Sequence, residues 1–293
     1  MIIFNPIGGI ANRLRCIVCG LELAKELKSD YRFVWARNYE LDARFEDILE
    51  MPAELNGKMV YPSSLSYFLL YSVPRRKNLY ITKLTGRRFG VALYWGYGLY
   101  KQIDAEHEDN APAITGLCRK SLKEGKIPYI SSGCRFQPDD TFPSVYPRLF
   151  RPADSIREEI ECVRERLGSR PVGIHIRRTD NTRSIKQSPD SLFINQMKQE
   201  LEMHPETIFY LATDDTATKK RFHQYFGNRV VTMPRKAERG NLQGIRDAAT
   251  ELFILAGTAK IYGSYYSSFS EAAALLGETP LKTLCLTESC SAN

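Results

Sequence analysis

The chain has 293 residues, 43% apolar and 26% charged, with 41 Lys and Arg against 34 Asp and Glu for a formal net charge of +7. That length and composition suit a soluble globular protein of two domains of roughly 150 residues each. They exclude a membrane-spanning chain, because apolar runs such as SYFLLYSV and LFILAGTA fall short of the ~20 residues that a span needs. The basic excess favours an anionic partner, and nucleic acid, phosphorylated small molecules and an anionic membrane face all satisfy it.

The amino-terminal MIIFNPIGGIANRLR has no basic region before its short apolar run, so it does not read as a signal peptide. Seven cysteines, an odd and scattered set, predict reduced thiols in a cytosolic compartment. Cys16 and Cys19 form a C-x-x-C inside a helical pattern with no second pair. They read as helix residues packed on a core in preference to a redox or zinc site.

In chain order, MIIFN predicts a short buried strand and PIGGIAN a glycine turn. Leu14, Ile17, Val18, Leu21, Ala24 and Leu27 then recur at helical spacing from Asn12 to near Lys28. YRFVWA predicts a second strand, so the chain opens as a β–α–β unit. Residues 41 to 149 show no clean period apart from IPYISSGCRF, which predicts a strand and its following loop. Beyond Pro147 and Pro152, an Asp154 or Ser155 cap and an apolar stripe of Ile156, Ile160, Val163 and Leu167 predict an amphipathic helix. The expected division is residues 1–150 and 151–293, with the junction near Phe150.

The second half alternates regularly. PVGIHI, TIFYLA, RVVTM and KIYG read as strands. SPDSLFINQMKQELEM, DTATKKRFHQYFG, NLQGIRDAATELFILAGTA and FSEAAALLG read as helices. Strict alternation predicts a parallel sheet covered on both faces, Rossmann-like in type.

Ligands of open α/β sheets bind beyond the carboxyl ends of the strands, and three polar clusters fall there: residues 177 to 181, Asp214 with Asp215, and residues 264 to 268. On the first strand Val172, Ile174 and Ile176 face one way, and Gly173, His175 and Arg177 the other. The Arg177 guanidinium can grip a diphosphate in a bidentate way, or form a structural pair with Asp180 at a strand end. Of the two aspartates, one is expected to cap the helix beginning near Thr216, and no third acidic or His ligand follows at metal spacing. Ser267 and Ser268 open a helix whose free N–H groups suit an anion, or else cap it. Gly9, Asn12 and Arg13 in GGIANR suit phosphate or sugar binding, or a plain turn and cap. GGIANR matches neither G-x-G-x-x-G nor a Walker A loop. His107, His204 and His223 read as surface residues. Asp247 and Glu251 share one helix face and read as solvated charges, with a site role open for Asp247.

HIRRTD, then YLATDD, then RDAATELFILAGTAKIYGSYYSSFSEAAALLG, with GGIANRLR at the start, resembles the donor half of the GDP-fucose-dependent fucosyltransferase superfamily, which takes in α1,6-, protein-O- and bacterial nodulation fucosyltransferases. The resemblance implies a GT-B-like fold of two Rossmann-like domains facing a cleft. It further implies an inverting transfer that uses no metal or other cofactor. The GDP-sugar would sit on residues 151–293, and a glycan or lipid-linked acceptor on residues 1–150. By the same resemblance Arg177 binds the β-phosphate. His175, Asp180, Asp247, Ser267 and Ser268 line the nucleotide or hold Arg177, and Asp214 and Asp215 are structural or orient the ligand. Gly9, Asn12, Arg13, Arg178 and Ser264 complete the expected donor-binding set, and Asp180 is the expected second catalytic residue. One departure stands out: α1,6 enzymes carry a glutamate after the motif, and Ile185 stands about where it would fall, leaving the base unassigned.

Three readings follow. The first is a cytoplasmic fucosyltransferase building surface glycans, its basic surface suited to the inner membrane face. The second is a GDP-sugar-binding homologue without turnover, which the missing glutamate keeps open. The third is single-stranded nucleic-acid binding by residues 74 to 101, through Arg75, Arg76, Arg87 and Arg88 with interleaved aromatics. The acidic stretch that follows and the small basic excess oppose it.

Overall fold

The computed structural model describes residues 1–67, 71, 100–105, 111–137, 142–179, 181–235, 238 and 240–286. Asp180, His107 and all of the 74 to 101 segment except Tyr100 and Lys101 lie outside these residues. The chain forms two compact units. The first is Met1–Phe45 with Met51–Phe142, and the second is Glu46–Glu50 with Pro143–Asn293. The junction expected near Phe150 therefore falls earlier, and Glu46–Glu50 joins the second unit. Backbone bonds from Ala153 N to Ile48 O (3.2 Å) and from Glu50 N to Arg151 O (3.0 Å) hold it there.

In the first unit, strands β1 (Ile2–Pro6), β2 (Tyr31–Val34), β3 (Met59–Val60), β4 (Tyr100–Asp104) and β5 (Ile127–Ser132) form a parallel sheet ordered β3-β2-β1-β5-β4. Helix α1 (Ile10–Glu26) follows β1, and α2 (Ala111–Lys123) precedes β5. All five residues of β1 are buried, as expected of a central parallel strand covered on both faces. Phe4 stacks on Phe33 (5.1 Å) and Phe136 (6.2 Å) beneath α1. A Cβ on Gly20 would lie 2.8 Å from the Phe33 ring, so only glycine lets α1 come this close. Cys16 and Cys19 are fully buried on this face. Burial pushes both thiols up, Cys19 to about 11, so the C-x-x-C is packing and not a reactive pair.

The second unit contains helices α3 (Phe142–Leu149, which begins at the boundary), α4 (Asp154–Glu165), α5 (Thr182–Gln187), α6 (Asp190–Met203), α7 (Thr216–Phe226), α8 (Leu242–Ala256) and α9 (Ser268–Gly277). Its strands β6 (Val172–Ile176), β7 (Phe209–Thr213), β8 (Val230–Val231), β9 (Lys260–Ser264) and β10 (Leu281–Leu284) form a second parallel sheet, ordered β10-β9-β6-β7-β8. Both units are thus Rossmann-like, as the β–α alternation predicts. One face of the second sheet carries Val172, Ile174, Ile176, Phe209 and Leu211 against Phe193 and Met197 of α6 and Phe222 of α7. Each such side chain contributes about 1.5–3 kcal/mol by leaving water. On the other face α8 packs against α4 and α9. A Cβ on Gly173 would lie 2.8 Å from Thr258 Oγ1 and 2.9 Å from a Leu255 methyl, so this glycine admits the end of α8.

Strands β3, β4 and β10 and helix α5 carry no clear sequence period. The first two are a two-residue strand and an edge strand, and β10 exists by pairing with β9. Helix α5 is held by its cap, Asn181 Oδ1 accepting from Ser184 N at 3.0 Å, and buries only Ser184. Helix α4 begins at Asp154 without a side-chain cap. The thiol expectation needs one correction. Cys16, Cys19, Cys118, Cys134 and Cys162 are free, but Cys285 is disulfide-bonded. Pairing depends on how close two Cα atoms come, which an odd count cannot reveal.

Candidate functional site

In the second sheet β6 is followed by β7 and β8 on one side, and the chain then returns to place β9 on the other. The switch point therefore lies between the carboxyl ends of β6 and β9, where the topology opens a crevice. Arg177 and Ser264 meet at that point. The Arg177 backbone N–H donates to Ser264 Oγ at 3.1 Å, and Ser264 Oγ donates to the His175 carbonyl at 3.3 Å. Ser264 is 2% exposed, so its hydroxyl belongs to the backbone path of this turn.

The next residues are pinned from the other side. Asp214 Oδ1 accepts from Arg178 N at 2.7 Å, and Asp214 Oδ2 accepts from Thr179 N (3.3 Å) and Thr179 Oγ1 (2.7 Å). Asp214 thus holds the β6–α5 turn. Asp215 caps α7, accepting from Thr218 N (2.8 Å) and Thr218 Oγ1 (2.7 Å), and these bonds hold its carboxyl below the usual range. The pair divides its work as the cap argument predicts. Arg178, expected among the donor-binding groups, is committed to the protein. Its guanidinium donates to Asp190 Oδ1 (2.5 and 2.9 Å), to Ser188 O (2.8 Å) and to Arg177 O (2.8 Å). Half-buried beside α6, it pairs with the Asp190 carboxylate, which strand alternation alone could not locate.

His175 is buried at 7% exposure and lies 4.9 Å from the Phe269 ring. Burial, with the charge of Arg177, lowers its pKa to about 3, so the ring is neutral. Its Nδ1 lies 3.4 Å from Ser267 Oγ. Ser267 is the N-cap residue of α9 yet makes no side-chain cap bond. The simple capping role open to it is not taken, and its hydroxyl faces the imidazole. Ser268 is the first residue of α9 and is half-buried. The free N–H groups of this turn lie beside His175 and Ser267. Tyr266, immediately before them, has φ +53 in the left-handed region and is 61% exposed. Its carbonyl accepts from Asn181 Nδ2 at 2.9 Å, which ties this turn to α5.

Asp247 and Glu251 do not stand in solvent. Asp247 is 6% exposed and accepts from Arg235 Nε (2.8 Å) and Gln243 Nε2 (2.8 Å). Glu251 Oε1 is buried with no hydrogen-bond partner, as is the Tyr210 hydroxyl on β7. Burial, with the nearby charges of Asp247 and Asp214 and against that of Lys219, raises the Glu251 carboxyl to about 7. The solvated reading fails because α8 is covered by α4, α9 and the sheet, so its polar side is interior as well. Sequence reasoning missed Glu251 as a site candidate. The available signal was an acid inside AATELFILA, an otherwise apolar run. Lys219 closes the cluster, its ammonium donating to Met233 O (2.9 Å) and Arg235 O (3.0 Å).

In the first unit, the β1–α1 loop lies at the corresponding switch point, between β1 and β5. Gly8 has φ +84, which favours glycine, and its N–H donates to Glu40 Oε2 at 3.1 Å. Gly9 is the N-cap residue of α1, and nothing would obstruct a Cβ there. The Asn12 amide packs against Gly8 and Gly133 and is half-buried. Arg13 is 0% exposed. It donates to Gly8 O (2.9 Å), Ala36 O (2.6 Å) and Asn38 Oδ1 (3.1 Å), and its guanidinium lies 5.0 Å from the Trp35 ring centre. The buried guanidinium holds the loop from within and presents no open face to a ligand. Gly8, Gly9 and Asn12 are the partly exposed residues of this loop.

Among the described residues no group of three or more His, Cys, Asp or Glu could hold a metal ion. No described helix is long and apolar enough to cross a membrane. No protein-family model matches the chain, and no curated protein matches it.

Fold and site together define a protein of two Rossmann-like, all-parallel units with polar clusters at the strand carboxyl ends. Among solved structures, this arrangement is similar to the fucosyltransferase NodZ from Bradyrhizobium (TM-score 0.63, 14% identity, 100% of this chain and 96% of that one). It is similar to NodZ α-1,6-fucosyltransferase soaked with GDP-fucose (TM-score 0.58, 13% identity, 94% and 92% of the two chains). It is also similar to POFUT1 in complex with GDP-fucose (TM-score 0.59, 14% identity, 97% and 96%). The chain has the fold of these GT-B-like proteins over nearly its whole length.

Proposed function

We propose that the protein is a glycosyltransferase that transfers fucose from GDP-fucose to a glycan or lipid-linked acceptor. The observation that carries this reading is the turn after β6. Arg177 leaves the sheet at the switch point with its N–H fixed by Ser264 and the following N–H groups fixed by Asp214. A planar guanidinium there grips the β-phosphate and neutralises the GDP leaving group, with the α9 N-terminus beside it. Support also comes from the fold, which the chain shares with NodZ and POFUT1 structures containing GDP-fucose.

Charge neutralisation by a guanidinium needs no metal, and the carboxylates Asp214, Asp215 and Asp247 are taken by protein donors. Transfer is a single displacement that inverts the anomeric centre. His175, neutral and packed against the Phe269 ring, orients Ser267 toward the phosphates. Asp247 acts indirectly, by holding the loop at Arg235. Guanine as the base is supported by the fold shared with the structures that contain GDP-fucose. Asp180 remains the proposed second catalytic group, close after Arg177 in sequence. In this reading the second unit takes the donor and the first unit the acceptor. Transfer occurs in the cytoplasm, at the inner membrane face, for surface glycans.

Titration calorimetry with GDP, UDP and ADP tests the proposal. GDP is expected to bind at least tenfold more tightly than the other two, and equal affinity for all three removes the reading. Donor turnover separates an enzyme from a binding homologue without activity.

A further inference from the structure

We propose that Asp190 is a positioning residue for the diphosphate grip, acting through Arg178 on the backbone that carries Arg177. This inference rests on the GDP-sugar reading above and adds to it the group that holds the grip in place.

Asp190 is the first residue of α6, where a carboxylate ordinarily does no more than face the helix N-terminus. Here both oxygens are engaged by arginines. Oδ1 accepts Arg178 Nε (2.9 Å) and Nη2 (2.5 Å), and Oδ2 accepts Arg221 Nε (2.7 Å) and Nη2 (2.5 Å). The Arg178 and Asp190 side chains are only 11% and 18% exposed, so water screens this pair weakly. The same guanidinium then reaches two carbonyls, Arg177 O and Ser188 O, each at 2.8 Å. The bond to Arg177 O fixes the peptide on the carboxyl side of Arg177, while Ser264 fixes its N–H.

Ser188 extends the same arrangement to the opposite wall of the crevice. Its hydroxyl donates to Leu284 O at 2.5 Å and accepts from Tyr265 N at 2.8 Å, just ahead of Ser267. Asp190 therefore orients a single guanidinium whose remaining donors set the Arg177 turn directly and the β9–α9 turn by way of Ser188. Removing its charge leaves Arg178 half-buried and underpaired, and frees both peptide planes. A loosened grip costs binding at the phosphate that Arg177 holds and at no other part of the nucleotide.

The test compares GDP and GMP, which differ by the β-phosphate, in calorimetric titrations of the full chain. Asp190→Asn is expected to weaken GDP binding at least tenfold while leaving GMP within twofold of wild type. Arg221→Gln, which leaves the Arg178 contacts to Asp190 and Arg177 in place, is expected to bind both nucleotides as wild type does. If Asp190→Asn does not fold, Asp190→Glu keeps the charge on a longer arm and is expected to show the same selective loss, several-fold in size. Equal losses for GDP and GMP, or no loss for GDP, overturn the proposal and leave Asp190 as a structural pair. A wild-type chain that binds no GDP removes the functional reading and this inference together. A wild type that binds GDP with an unresponsive Asp190 variant removes only the latter.

Discussion

Ser264 Oγ lies 3.1 Å from the Arg177 backbone nitrogen and 3.3 Å from the His175 carbonyl, so one buried hydroxyl joins β9 to both sides of the turn at the end of β6. Replacing it by Ala leaves the Arg177 N–H without its partner at a cost of about 1–3 kcal/mol. The expected outcome for Ser264→Ala is a lower melting temperature and several-fold weaker GDP binding, measured on the same preparation.

Arg177 itself separates charge from geometry. Lysine keeps the charge but offers no planar fork. Arg177→Ala is expected to lower transfer about a hundred- to thousandfold, and Arg177→Lys to recover only a small part of it, with thermal stability near wild type in both. Initial rates at saturating donor check this.

His175 and Glu251 impose opposite pH dependences on stability. His175 titrates near 6.5 when unfolded and at about 3 when folded, so its contribution is complete above pH 6.5 and is lost as pH falls toward 3. Glu251 is raised from 4.5 to about 7, so its contribution is present below pH 4.5 and is lost as pH rises through 7. Glu251→Gln is therefore expected to gain on wild type between pH 5 and 8, by on the order of 1–3 kcal/mol. His175→Gln is expected to lose less than wild type on acidification from pH 6.5 to 4. Melting curves across this range show the two difference profiles sloping in opposite directions.

Arg13 tests the β1–α1 loop. Its guanidinium is fully buried against the Trp35 ring and donates to Gly8 O, Ala36 O and Asn38 Oδ1. Arg13→Ala strands the Gly8 and Ala36 carbonyls and opens a cavity, a loss of about 3–5 kcal/mol. Denaturant unfolding is expected to show destabilisation of that size.

Much of the fold is legible in the order of residues. PVGIHI, TIFYLA and KIYG are dense in β-branched and aromatic residues and alternate with stripes at helical spacing. The elements that escaped reading are held by partners, as when β10 pairs with β9 or Asn181 caps α5. Placement of Gly173 and His175 on the face opposite Val172, Ile174 and Ile176 follows from the two-residue period of a strand, and the packing agrees. That one of Asp214 and Asp215 caps the next helix follows from their place before Thr216, and the structure gives that role to Asp215.

The roles of Arg178, Arg13, Asp247 and Glu251 do not follow from spacing. Each depends on what packs over it: Asp190 from α6, Trp35 and the Ala36 carbonyl, Arg235, and a helix covered on several sides. Periodicity reports which way a side chain leaves the backbone, so the sequence by itself determined the parallel α/β design and the strand ends where polar residues gather. Whether a charge at those ends meets solvent, a ligand or another charge depends on groups far apart along the chain. Only the tertiary structure decided that, because hydrogen bonds and desolvation act over a few ångströms of space, whatever the distance in sequence.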